Sequence, residues 1–250
     1  MSANNTPSGS SESERPGIHK GRPILVTIAL WSLLLLLTLA CARGDDATGA
    51  PAQSFPSEPG AVLVDEPFAG PTAHKWDTYD DRETRADYEV DRLLMAIDVP
   101  DEVAWSLLQD DGAEFGDVAL DLDVTALAGP TDNSFGLIFR YKDRYNFYSF
   151  DVSSDGYYRL QLRQGTSNTD WQAHKLIDWT PSAAIRSGLG QSNHLRLVAK
   201  GTAFTLIING QTVNQFTDTT LSRGRIGVSA GTFQDPGVRI AFDNLVVSNP

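Results

Sequence analysis

The chain has 250 residues, with 20 Lys and Arg against 32 Asp and Glu, for a formal charge of -12. That acidic excess repels phosphate backbones and no basic patch interrupts it, which excludes nucleic acid as a partner. A single cysteine excludes an internal disulfide, so a hydrophobic core must hold whatever folds.

Residues 1–22 are polar, rich in Ser, Pro and Asn, and without apolar periodicity; they are expected to be disordered and cytoplasmic before processing. Residues 23–40, PILVTIALWSLLLLLTLA, are uncharged and follow Lys20 and Arg22, the order of an export signal. At about 1.5 Å of rise per residue the same stretch as a helix would just cross a hydrocarbon core of roughly 30 Å. The run Leu37-Thr38-Leu39-Ala40-Cys41 resembles the lipobox of bacterial lipoproteins, in which the cysteine is acylated and becomes the mature N-terminus. Three readings stand: lipidation at Cys41, an uncleaved transmembrane anchor, or simple cleavage and release. The first two tether the rest of the chain to a membrane, and all three place it outside the cytoplasm, in the cell envelope or beyond. Residues 42–60 are dense in Ala, Gly, Pro and Ser and read as a flexible linker, including Arg43-Gly44-Asp45.

The folded domain is expected over residues 61–250. Ala61 to Val64 reads as a first strand, Asp77 to Asp87 as a solvated loop, and Asp87 to Val99 as one long strand or a strand pair. Trp105 to Leu108 resumes an apolar segment. Val118, Leu120, Leu122 and Val124 then alternate with aspartates, the period-two pattern of a half-buried strand. Ser134 to Tyr141 repeats the pattern. Tyr145 to Val152 and Tyr157 to Arg163 flank Ser153-Ser154-Asp155-Gly156, a hairpin signal, and Trp171 to Ile177 follows. Pro181 to Ser187 is the one helical candidate. Strands are predicted over Asn193 to Lys200, Ala203 to Ile208, Gln211 to Phe216, Arg225 to Ala230 and Val238 to Val247. Asn209-Gly210 suits a type I′ turn. So many short alternating strands point to an all-β protein, an antiparallel β-sandwich of two packed sheets, with a barrel as the alternative.

Several segments occur in a familiar order: Phe135-Gly136-Leu137-Ile138-Phe139-Arg140-Tyr141, Asn146-Phe147-Tyr148, Gly156-Tyr157-Tyr158-Arg159-Leu160, Asn193-His194-Leu195-Arg196-Leu197, Gly224-Arg225-Ile226-Gly227-Val228 and Ala241-Phe242-Asp243-Asn244-Leu245. Together they resemble the concanavalin A-like lectin/glucanase superfamily, in particular its laminin-G-like and 3-keto-disaccharide hydrolase-like (domain of unknown function 1080) members. The resemblance spans Phe68 to Val247 and implies a jelly-roll sandwich. Many such domains bind glycans or act as accessory modules, and others hydrolyse them. It also implies that Asp243 and Asn244 fix the terminal strands or, with Asp65, hold a structural calcium ion, the only cofactor raised. Calcium takes six to eight oxygen ligands, more than these residues supply.

No catalytic residue is assigned. The Glu-x-Asp-x-x-Glu pattern of the superfamily's glycosidases is absent, and Asp121 and Asp123 read as a solvated strand face. The histidines have no metal or triad spacing. A binding surface is better motivated, because aromatic rings stack on the C–H faces of sugars while charged groups bind the hydroxyls. Trp171, Trp179, Tyr158, Arg140 and Arg159 are the candidate ligand-binding residues, with Tyr158 as the outward member of the Tyr157–Tyr158 pair. The expected function is a membrane-tethered noncatalytic module for carbohydrate or another extracellular ligand. A structural or protein-interaction domain of the envelope and a glycoside hydrolase are the alternatives.

Overall fold

A computed structural model describes residues 58–69, 76–110 and 112–250. The expectations for residues 1–57, including the apolar segment and Cys41, lie outside the described residues. Among the described residues no helix is long and apolar enough to cross a membrane.

The strands are β1 (Val62–Glu66), β2 (Tyr79–Asp80), β3 (Thr84–Tyr88), β4 (Leu93–Ile97), β5 (Val103–Leu107), β6 (Val118–Ala128), β7 (Asn133–Asp143), β8 (Asn146–Val152), β9 (Tyr157–Ser167), β10 (Asp170–Pro181), β11 (Ser192–Lys200), β12 (Ala203–Ile208), β13 (Gln211–Thr217), β14 (Arg225–Thr232) and β15 (Val238–Ser248). They form a nine-stranded sheet in the order β13-β12-β11-β6-β15-β4-β3-β2, with β1 also on β15, and a six-stranded sheet in the order β10-β9-β8-β7-β14-β5. The predicted antiparallel sandwich is the observed fold.

Alternation builds the interior. Val118, Leu120, Leu122 and Val124 of β6 are buried in the main core with Leu195 and Leu197 of β11, facing Phe135, Leu137 and Phe139 of β7 and Leu160 and Leu162 of β9. Phe139 and Tyr148 stack at 5.0 Å, and the edge of Phe204 closes on both. Burying each such side chain contributes about 1.5–3 kcal/mol. The Asn209-Gly210 turn has positive φ at both residues, 49° and 79°, as a type I′ hairpin requires.

Two local expectations are corrected. The polar stretch Asp77 to Asp87 carries β2 and the start of β3. The Asp81 carboxylate makes the turn between them, accepting the N–H groups of Glu83 and Thr84 at 3.1 and 2.7 Å. Pro181 to Ser187 forms a turn, not a helix. One helix-like bond, Ile185 N–H to the Ser182 carbonyl, is made. The Asn193 side chain then claims the Arg186 N–H and carbonyl, so the backbone has no reason to continue the spiral.

Candidate functional site

On the side of the six-stranded sheet away from the main core, a second apolar cluster forms from Leu107, Ile138 and Phe147 with Trp105 and Tyr141 packed against it. These are the outward positions of β5, β7 and β8, alternating with the residues that face the sandwich interior. Strand register extends this surface across the sheet. Trp105 sits opposite Ser229, Ser229 opposite Gly136, Gly136 opposite Asp151, and Asp151 opposite Arg159. One transverse row thus carries an indole, a hydroxyl, a bare backbone, a carboxylate and a guanidinium.

Gly136 is the hinge of that row. A Cβ there would lie 2.1 Å from the Phe150 carbonyl oxygen, so only glycine fits. With no side chain on β7, Ser229 and Asp151 meet over it, the hydroxyl donating to Asp151 Oδ1 at 3.3 Å. Asp151 Oδ2 accepts from Ser149 and from Arg159 Nε, both at 2.9 Å. The aspartate is only 2 % exposed, and three donors compensate its desolvation.

Arg159 in turn stacks on the Trp179 ring at 4.6 Å, and Phe233 packs its edge against that indole. Among the described residues Arg159 makes one hydrogen bond, through Nε to Asp151. Farther along β9, Arg163 lies 3.8 Å over Trp171 and 5.8 Å from both Trp105 and Phe147. Cation–π contacts of this kind contribute about 0.5–2 kcal/mol each. Three of the four tryptophans of the folded domain, Trp105, Trp171 and Trp179, are therefore half-buried on one face. The fourth, Trp76, is in the core against Phe68.

Of the candidate residues, Trp171, Trp179 and Arg159 are brought together on this face. Arg140 and Tyr158 are not. The pairing of β7 shifts register between Phe139 and Asp143, and Arg140 has φ 51°, so this bulge turns its side chain inward. Arg140 is 1 % exposed, donates to the carbonyls of Leu221 and Gly201 at 2.8 and 2.7 Å, and lies over Phe204. It is an internal staple, and burial lowers its pKa despite Tyr148, Asp117 and Asp218 nearby. Tyr158 is a core residue whose hydroxyl donates to the Val213 carbonyl at 3.1 Å; its neighbour Tyr157 faces out and is 38 % exposed. Asp151 and Ser229 were not anticipated. The signal was the Asp155-Gly156 turn, which fixes the register that puts Asp151 opposite Arg159.

The opposite surface of the sandwich differs. Asp65 is exposed and opposite Val246, whereas Asp243 is opposite Asp123. The two proposed calcium ligands are thus offset along β15, and among the described residues no group of three or more His, Cys, Asp or Glu is placed to hold a metal. Asn244 instead donates to Asp123 Oδ2 at 2.9 Å, tying the β15 bulge to β6. His194 sits between Asp123 and Asp121, and Arg196 also bonds to Asp121.

Residues 63–248 match the family described as the 3-keto-alpha-glucoside-1,2-lyase-like domain. The chain belongs to that family. Solved structures with the same sandwich include the carbohydrate-binding module CBM66 from Bacillus subtilis, with a TM-score of 0.52 at 18% identity over 70% of this chain and 96% of that one. A protein of unknown function with a galectin-like fold, also from Bacillus subtilis, gives a TM-score of 0.56 at 13% identity over 77% and 97%. The apo Crh5 transglycosylase gives 0.54 at 10% identity over 79% and 89%. At these identities the likeness establishes the fold, and any function has to be argued from the face itself. No protein of curated function is detectably similar in sequence.

Proposed function

We propose that this member of the family is a carbohydrate-binding module that uses the outer face of the six-stranded sheet, and that residues 23–41 hold it outside the cytoplasm with Cys41 as the lipid attachment point. The observation that carries the binding reading is the Asp151–Arg159–Trp179 stack. A buried carboxylate aims a guanidinium, an indole lies against it, and the two terminal nitrogens can donate to neighbouring hydroxyls. Indoles on either side supply the apolar walls that sugar C–H faces need. Because Asp151 balances Arg159 and the chain is acidic, the fitting ligand is a neutral glycan.

A glycan array probed with the full chain tests this. Neutral oligosaccharides should bind, and Trp179→Ala should weaken the signal while the thermal midpoint stays close to the parent's; Arg159→Ala should weaken it too but with a lowered midpoint, because buried Asp151 loses its counter-charge. Absence of binding to every glycan would refute the reading.

The family description supports a second reading, elimination across a 3-keto-α-glucoside. A base would take the proton on the carbon beside the ketone while the glycosidic C–O bond breaks and its oxygen takes up a proton, giving an unsaturated ketone and a free alcohol. Asp151, engaged by three donors, is an anchor rather than a free base, and for that reason binding is preferred. A rise in near-ultraviolet absorbance when the chain is mixed with a 3-keto-α-glucoside would favour the lyase.

A further inference from the structure

We infer, building on the carbohydrate reading above, that the face grips an extended run of a neutral glycan chain at two separate places rather than one terminal sugar. The two arginine–tryptophan stacks lie along one hairpin: Arg159 and Arg163 both point outward from β9, and Trp179 and Trp171 reach them from β10. Four residues of strand separate the two arginines by roughly 13 Å, farther than one sugar ring extends. The position between them is filled by Gln161, which is opposite Lys175 on β10. Both carry groups that can hydrogen-bond hydroxyls, Lys175 while paired with the exposed Asp178 at 3.3 Å. The sequence of groups along the hairpin is therefore stack, polar pair, stack.

The two stacks are built alike but supported differently. Arg159 is aimed by Asp151, whereas Arg163 is 7 % exposed and walled by Trp105, Trp171 and Phe147. Each alone offers one ring a stacking surface. A chain long enough to reach both converts the second contact into an intramolecular one, and its affinity rises without any new kind of contact.

Calorimetric titration of the full chain with malto-, cello-, laminari- and fructo-oligosaccharides, from monosaccharide to hexasaccharide, tests this. In the series that binds, affinity should climb by about tenfold or more between disaccharide and tetrasaccharide and then level off. Trp171→Ala and Trp179→Ala should each pull the hexasaccharide affinity down to the disaccharide value. Equal affinity for a monosaccharide and a hexasaccharide, with one of the two tryptophans dispensable, would overturn the two-place reading and leave carbohydrate binding standing. No binding in any series would overturn both, and binding confined to polyuronates on a parallel array would overturn the neutral ligand. The length dependence is read on the unaltered chain, so it does not depend on how the variants fold.

Discussion

On the nine-stranded sheet, Asp121 and Asp123 meet Arg196 and His194 in a ladder whose basic members are 38% and 44% exposed. On the six-stranded sheet, Asp151 meets Arg159 at side-chain exposures of 3% and 11%, beneath Trp179. Both are cross-strand acid–base pairs set by register. The first is solvated on its basic side and can be lost cheaply. The second is desolvated, so its geometry is fixed before any ligand arrives and its terminal nitrogens are presented in one orientation. Aromatic cover, rather than the presence of charge, separates the solvated ladder from the desolvated pair.

The sharpest way to break that contrast is Gly136→Ala. The new methyl would meet the Phe150 carbonyl and separate Ser229 from Asp151, costing about 3 kcal/mol or more, read as a shift in urea midpoint at unchanged slope. Asp151→Ala should cost nearly as much, about 3 kcal/mol, because Arg159 is left without its counter-charge. If Asp151→Ala were as mild as a surface change, the contrast between the faces would fail. Asp121→Ala, on the open ladder, should cost about 0.5 kcal/mol, and less still in high salt.

The smallest effect concerns Asp243. Burial, with Asp123 and Asp91 close by, raises the pKa of its carboxyl above the usual carboxylate range, against the Asn244 N–H and Arg92. A raised acid opposes folding while it is ionised, and the penalty is relieved as pH falls through its folded pKa. Asp243→Asn should therefore be slightly more stable than the parent at neutral pH, with the difference fading in acid. Denaturation curves collected from neutral to acidic pH would show it.

Much of the sandwich is legible in the sequence because alternation and turn chemistry agree. Leu120 and Leu122 against Asp121 and Asp123 fix one face of β6, and Asn209-Gly210 fixes the β12–β13 hairpin. The site is legible only where local pattern determines direction. Arg159 follows from a strand that pairs regularly with β8, whereas Trp171 and Trp179 lie at register shifts of the β9–β10 pairing and are placed by their stacking on Arg163 and Arg159. Arg140 is misread because a bulge reverses its side chain, and Phe135-Gly136-Leu137 does not announce where alternation will break. Tyr158 is misread because two adjacent tyrosines are equivalent by composition, and only the register with Val152 decides that Tyr158 faces the core. Asp151 escapes notice because its burial depends on partners from β8, β9 and β14, which no local window contains.

The most direct measurement is a nuclear magnetic resonance titration of the full chain, isotope-labelled at its tryptophans and histidines, with the tightest-binding neutral oligosaccharide. The expected result is movement of the Trp171 and Trp179 indole signals together, with Trp76 and His194 unchanged. Perturbation centred on His194, or no indole movement at saturating sugar, would contradict recognition by the six-stranded face.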